Sequence, residues 1–484
     1  MLKTHRLTLA FIAWFILYSL LHLPAFRVDL QHIHVFRQAM TQVNIRNFAR
    51  EDFNILNPRH DNRGTGDGIF RLEFPVMQWL FGGVYRVAGT DDIRITRLLT
   101  LLLGILSTVG IYRFLNALFH NQTLAGIGAW LFSFSPTFYY FTVCPLPDNF
   151  ALCSAIWALV AFLAWVRSRR TVLLITAGFL FALASAAKLP FVLYGAFPAG
   201  WFLIEYLRDR QQLPLLIKSA AVLFSWQILP VLWYATVIPT WGGNPVVGGW
   251  FSAEGDLLRG LDYLQHHLIS TLPENLINFG ALPVFLYGLY LVLRKRLFRR
   301  TESWPLLAWF GLHALYYGYE LPVIGKSHDY YFMPVLPMIA VVSGLGLKHL
   351  LSIRKSWSRV LLYAVVLAVP VFAYFRINNR WFDRPEDTLQ VYKTELRAAL
   401  PPGASIVTGN DNSGAVNHYF LDRRGWSFAY DNLTAEQLRE FIRQGAGYLV
   451  SSSRAVEEQP EIRALLGLEV YAAGEYRVFE LVQE

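Results

Sequence analysis

Apolar runs long enough to cross a bilayer recur through most of this chain, and no other feature constrains its fold so tightly. They cover 7–25, 95–118, 124–144, 149–166, 171–187, 190–206, 214–238, 276–293, 304–319, 330–347 and 360–376. A hydrocarbon core of ~30 Å takes roughly 20 apolar residues as a helix, so these runs predict about eleven transmembrane helices. Barrel strands would be shorter and would alternate polar with apolar residues. Only 16% of the residues are charged, against 54% hydrophobic, which is the balance of a chain that meets lipid rather than water.

The net charge of +9 is not that of a nucleic-acid binder, because it is laid out by topology. Lys3 and Arg6, Arg167 to Arg170, Arg208 and Arg210, Arg294 to Arg300, and Lys348 to Arg359 all fall on one side when the spans are threaded in order. The positive-inside rule makes that side cytoplasmic, together with the N-terminus. The segments 26–94, 239–275, 320–329 and 377–484 then face outward. The first span reads as an uncleaved signal anchor, since 21–25 offers no small-x-small cleavage site. Cys144 and Cys153 are read as free, packing cysteines.

Composition separates a membrane part, 1–376, with a large first outer loop at 26–94, from a soluble α/β tail at 377–484. In the tail SIVTG (405–409), YLVSSS (448–453) and EYRVFELV (475–482) read as strands. LTAEQLREFIRQG (433–445) and EIRALLG (461–467) read as helices, and the alternation favours a small, mostly parallel sheet. In the outer loop, 34–51 has helical spacing suited to a helix on the membrane surface, and 74–89 is too short to span, so it reads as interfacial or re-entrant.

Ionisable groups at the membrane face are functional candidates. Asp29 follows the first span and stands near Gln31, His32, His34, Arg37 and Gln38. The 0, 3, 4 spacing puts His34, Arg37 and Gln38 on one helical face, where cationic and amide donors suit a phosphate while an acid takes a proton. Glu73 lies in RLEFP, at the start of the short apolar piece. Asp61 and Asp67, in a glycine-rich turn, are the candidates for a divalent cation, although their spacing is not that of a calcium loop. Asp148 in CPLPDNF is explained by helix capping. Lys188 in AAKLP disobeys the charge bias with little nearby to neutralise it, which points to a bound anion. KSHDYYFMPVLP adds Lys326, His328, Asp329, Tyr330 and Tyr331, two of them tyrosines that also suit an interfacial belt. By topology all these groups converge on one face, where an amphiphile with an anionic head group would bind.

The order of these motifs resembles the polyprenyl-phosphate-dependent glycosyltransferases of the C-type membrane fold, the broad family of protein O-mannosyltransferases and lipid A aminoarabinose transferases. The likeness runs over 1–376: an acid in the first outer loop, FPVMQWL, RLLTLLLG (97–104), PDNFAL (147–152), AAKLP and HDYYFMPVLP. It implies a bacterial inner-membrane enzyme that transfers a sugar, with inversion, from a polyprenyl-phosphate donor to a lipid, glycan or protein acceptor at the outer face. Asp29 then takes the base position, with Glu73 sharing the role and His34 as an alternative base. Lys188, His328 and Tyr330 or Tyr331 would contact the phosphate or the donor head group. No redox cofactor is implied. The chain departs from the family where many members carry two adjacent acids, because Asp29 is followed by Leu30 and Gln31. A reading of another class is a transporter or flippase for a lipid-linked anion, which would place ionisable residues in mid-span.

Overall fold

Proline in first turns and glycine at helix crossings shape the helices of the computed structural model, which describes residues 2–31, 33–241, 248–251, 256–353, 355–382 and 389–483. Pro147, Pro283, Pro305 and Pro337 each open a helix, where the missing N–H costs nothing. Five helices are long and apolar enough to cross a membrane: Ile93–Phe119, Pro147–Ser168, Arg210–Trp241, Asp329–Ser352 and Ser356–Ile377. A sixth arises if Leu257–Ile277 and Leu282–Arg294, bent by 113° at their junction, form one span. The chain is a multi-pass membrane protein.

Its contacts divide it into two compact units. The first comprises Met1–Leu23, Leu72–Val76 and Arg97–Asn379, and the second Pro24–Arg71, Met77–Thr96 and Arg380–Glu484. In the first, helices Leu282–Arg294 and Leu336–Ser352 approach backbone to backbone. A Cβ at Gly288 would lie 2.0 Å from the Val342 carbonyl oxygen, and one at Gly346 would lie 2.3 Å from that of Val284. Small residues at such crossings let helices pack closely without a hydrophobic driving force. Cys144 and Cys153 are both buried thiols outside any disulfide.

The second unit is built on a five-stranded sheet: β1 (Ile406–Thr408), β2 (Gly425–Ser427), β3 (Tyr448–Ser451), β4 (Leu466–Ala473) and β5 (Tyr476–Leu481), in the order β2-β1-β3-β5-β4. β1 runs parallel to β2 and β3, while β5 is antiparallel to β3 and β4, so the sheet is mixed rather than mostly parallel. The helix expected at 461–467 shrinks to Pro460–Arg463, and the chain then turns into β4, which pairs with β5 as a hairpin. Adjacent strand residues serve opposite faces, as a period of two requires. Ile406, Val450 and Val478 pack with Ala39, Val43, Leu396 and Phe420 on one side, and Val407, Leu449 and Phe479 with Leu438, Ile442 and Ile462 on the other. Helix Ala435–Arg443 starts in a capping box between Thr434 and Gln437.

Helix Val35–Arg50 therefore belongs to the core of the second unit. The surface-lying reading fails, because Arg37 to Ala39 and Thr41 to Phe48 are buried around its whole circumference. Several of its polar groups find partners inside the unit: the Gln42 amide donates to the Tyr85 hydroxyl (2.7 Å), and the Asn47 amide donates to Asp61 (2.9 Å).

Candidate functional site

Segment 72–76 enters the first unit on hydrogen bonds that fix the residues on either side of Glu73. The Trp233 indole N–H donates to the Leu72 carbonyl (3.0 Å), and the Phe74 N–H donates to the Ala186 carbonyl (3.0 Å). The Tyr234 hydroxyl donates to the same carbonyl (3.0 Å), while the Phe74 and Trp233 rings meet edge to face at 5.0 Å. Ala186 lies two residues before Lys188, at the end of helix Thr171–Ala187. Glu73 and Lys188 consequently line one cavity of about 320 Å³, with Tyr234, Trp241, Tyr316, Glu320 and Tyr331 among the other walls.

Lys188 is not left to itself, as the sequence suggested. Its ammonium lies 3.9 Å from the Asp148 carboxylate and faces the rings of Tyr331 (5.3 Å) and Tyr330 (5.8 Å). Asp148 is not the cap of its helix. Leu146 holds that position, and Asp148, 1% exposed, occupies the first turn, where the helix dipole favours an anion. Tyrosine hydroxyls hold the 330s segment in place: Tyr317 donates to the Tyr331 carbonyl and Tyr194 to that of Pro334, both at 2.7 Å. The rest of that cluster is engaged elsewhere. Lys326 pairs with Asp262 at 2.6 Å. A ring N–H of His328 donates to the Ile324 carbonyl (2.9 Å). Asp329 and Tyr330 are buried, and neither they nor His328 line the cavity.

Apart from Glu73, the candidates from the first outer loop fall in the second unit. His34 precedes helix Val35–Arg50 in a left-handed conformation (φ 60°), and its carbonyl accepts the Gln38 N–H (3.1 Å). It therefore does not share a helical face with Arg37 and Gln38, both of which are buried. His32 lies outside the described residues. Asp29 accepts from the Tyr419 hydroxyl (2.6 Å) and the Leu30 N–H (2.7 Å), and pairs with Lys393. Burial alone would raise its pKa, but the charge and hydrogen bond of Lys393, with Tyr419 and Leu30, hold it below the usual carboxylate range. Such a group stabilises the fold above its unfolded pKa of about 3.9 and stops doing so as pH falls through the folded value. Asp29→Asn is thus expected to destabilise the protein by about 1–3 kcal/mol at pH 7. Thermal unfolding should show the gap between the two proteins closing toward pH 3, and a pH-independent gap would contradict this.

Asp61 is committed to Arg46 (2.8 Å), and Asp67 accepts the Ile69 N–H (2.9 Å). Among the described residues no three His, Cys, Asp or Glu side chains converge as metal ligands. Asp61 and Asp67 instead line a cleft of about 600 Å³ in which Arg63 and Arg424 both pair with Glu51.

Sequence reasoning missed Tyr234, Trp241, Tyr316 and Glu320 among the walls of the first-unit cavity. The signal for the last two was YYGYELP (316–322), a lone acid ending an apolar run between tyrosines and a proline.

Residues 73–234, which contain Glu73, Asp148, Lys188 and Tyr234, match the family described as dolichyl-phosphate-mannose-protein mannosyltransferase. The fold is similar to that of ArnT from Cupriavidus metallidurans in the apo state, with a TM-score of 0.66 at 12% identity over 99% of both chains. The same protein bound to undecaprenyl phosphate gives 0.64 at 13% identity over 98% of both chains. The Archaeoglobus fulgidus oligosaccharyltransferase, solved as a complex with Zn and sulfate, gives 0.53 at 13% identity over 86% of this chain and 63% of its own. Curated protein sequences provide no significant match. In sequence over 73–234, and in fold along nearly its whole length, the chain resembles the polyprenyl-phosphate-dependent glycosyltransferases of the C-type membrane fold.

Proposed function

We propose that the chain transfers a sugar from a polyprenyl-phosphate donor to a hydroxyl of a lipid, glycan or protein acceptor, with inversion, at the outer face of a bacterial inner membrane. The placing of Lys and Arg supports this orientation, and the apolar segments beyond the five long helices would complete about eleven spans. The observation that carries the reading is the shared cavity of Glu73 and Lys188, an acid and a cation among tyrosines and a tryptophan.

In this scheme Glu73 takes the proton of the acceptor hydroxyl as its oxygen attacks the anomeric carbon. The bond from that carbon to the phosphate oxygen breaks, and the phosphate leaves with the electron pair. Lys188 faces the charge that develops there and stabilises it. Asp29 is the other acid carried forward as base. The environments favour Glu73, because Lys393 holds Asp29 anionic and lowers its appetite for a proton.

Undecaprenyl phosphate, the ligand of the crystallised ArnT, is the probe for the phosphate subsite. Lys188→Met is expected to weaken its binding about 10–100-fold, the worth of one hydrogen bond to a charged group. Unchanged affinity, measured on purified protein in nanodiscs, would remove Lys188 from the phosphate.

A further inference from the structure

The cavity holds a second acid that the proposed chemistry does not use. Glu320 is the single acidic residue of the otherwise apolar helix Trp304–Ile324, and it is 5% exposed. No hydrogen bond or ion pair reaches it from the described residues. Burying a carboxylate without a partner is strongly unfavourable, and a leucine or glutamine there would serve the fold better. The lysine that could neutralise it is held beside Asp148 instead.

The Glu320 carboxylate opens into the cavity, so a ligand bound there can complete it, and the chemistry of that ligand is restricted. A phosphate would be repelled by the carboxylate and belongs with Lys188. The fitting group is a hydrogen-bond donor that carries no negative charge. Around it stand Tyr316, one turn earlier on the same helix, with Tyr234 and Trp241, aromatic surfaces suited to the C–H faces of a sugar ring. At about 320 Å³ the space lies at the small end of ligand pockets, room for a monosaccharide rather than a prenyl chain.

We infer that Glu320 is the specificity residue for the transferred sugar: it accepts hydrogen bonds from hydroxyl or amino groups and rejects sugars that carry a carboxylate. The inference rests on the proposed glycosyl transfer.

The test is binding to full-length protein in nanodiscs, using undecaprenyl phosphate alone and undecaprenyl phosphate linked to glucose, to glucosamine and to glucuronic acid. The neutral or the amino sugar should tighten binding at least about 10-fold over the bare lipid, as one charge-assisted hydrogen bond does. Glucuronic acid should not. Glu320→Ala should erase the sugar-dependent gain and leave the bare lipid unaffected, and Glu320→Gln should admit the glucuronic acid lipid. Because Glu320 has no partner to lose, both variants should fold and melt at or above the wild-type temperature. A sugar-dependent gain that survives Glu320→Ala overturns the inference and leaves the glycosyl-transfer reading standing, as does equal binding of all three sugars. Failure of the bare lipid to bind overturns both.

Discussion

Replacing Glu73 by glutamine is expected to lower the rate of sugar transfer by about 10²–10⁴-fold, the usual worth of a positioned general base. Glutamine keeps the size and the hydrogen-bonding reach of the side chain but cannot take a proton. The segment is anchored through the backbone of Leu72 and Phe74. The loss should accordingly appear in kcat with little change in the affinity for undecaprenyl phosphate. Asp29→Asn is the companion measurement. If it costs as much in kcat while Glu73→Gln costs only a few-fold, the base is Asp29 and the cavity acid has another task. If Glu73→Gln weakens lipid binding as strongly as it slows turnover, the residue holds the donor rather than activating the acceptor.

The residues of the candidate site were legible where chemistry conflicted with its surroundings. A lysine on the wrong side of the charge bias marked Lys188, and an acid before a proline and an apolar run marked Glu73. Their partners were hidden because pairing across sequence distance leaves no local trace: Asp148, 40 residues before Lys188, looked like a helix cap. Glu320 escaped for a related reason, since at the edge of an apolar run an acid that solvates itself at the interface and one that faces a cavity read alike. Lys326 is the converse case, a cation at the expected mouth that stands in an exposed ion pair with Asp262.

For the fold, what could be read was what depends on neighbours in sequence. The apolar runs predicted helices, and LTAEQLREFIRQG predicted the one that forms as Ala435–Arg443. The mixed sheet could not be read, because β4 and the helical turn before it are told apart only by pairing with β5. Helix Val35–Arg50 was legible as a helix and not as a buried one. Its arginines, asparagines and glutamines look like a solvated face until their partners arrive from residues as distant as 422.

Arg46 tests that burial most severely, and Arg46→Leu is expected to destabilise the protein by about 3–5 kcal/mol at pH 7, the cost of removing one member of a buried ion pair. Its guanidinium reaches Asp61 at 2.8 Å and Asp422 at 2.9 Å and lies over the Tyr419 ring at 5.5 Å. The Arg46 and Asp61 side chains are each only 6% exposed, so leucine would leave Asp61 buried without its cation. Burial alone would raise the pKa of Asp422, yet the charge of Arg46, with Arg50, brings it down to about 2. A depressed carboxylate contributes stability above its unfolded pKa of about 3.9 and loses it as pH falls toward the folded value. The penalty of Arg46→Leu should therefore shrink between pH 4 and about pH 2, a window set by Asp422. Arg443→Ala, which removes an exposed pair with Glu440 on helix Ala435–Arg443, should leave the melting temperature unchanged under all these conditions. Equal, small effects of the two substitutions would mean that the outer loop does not form one core with the sheet. A large loss confined to Arg46→Leu would show that the acidic turn around Asp61 serves the fold.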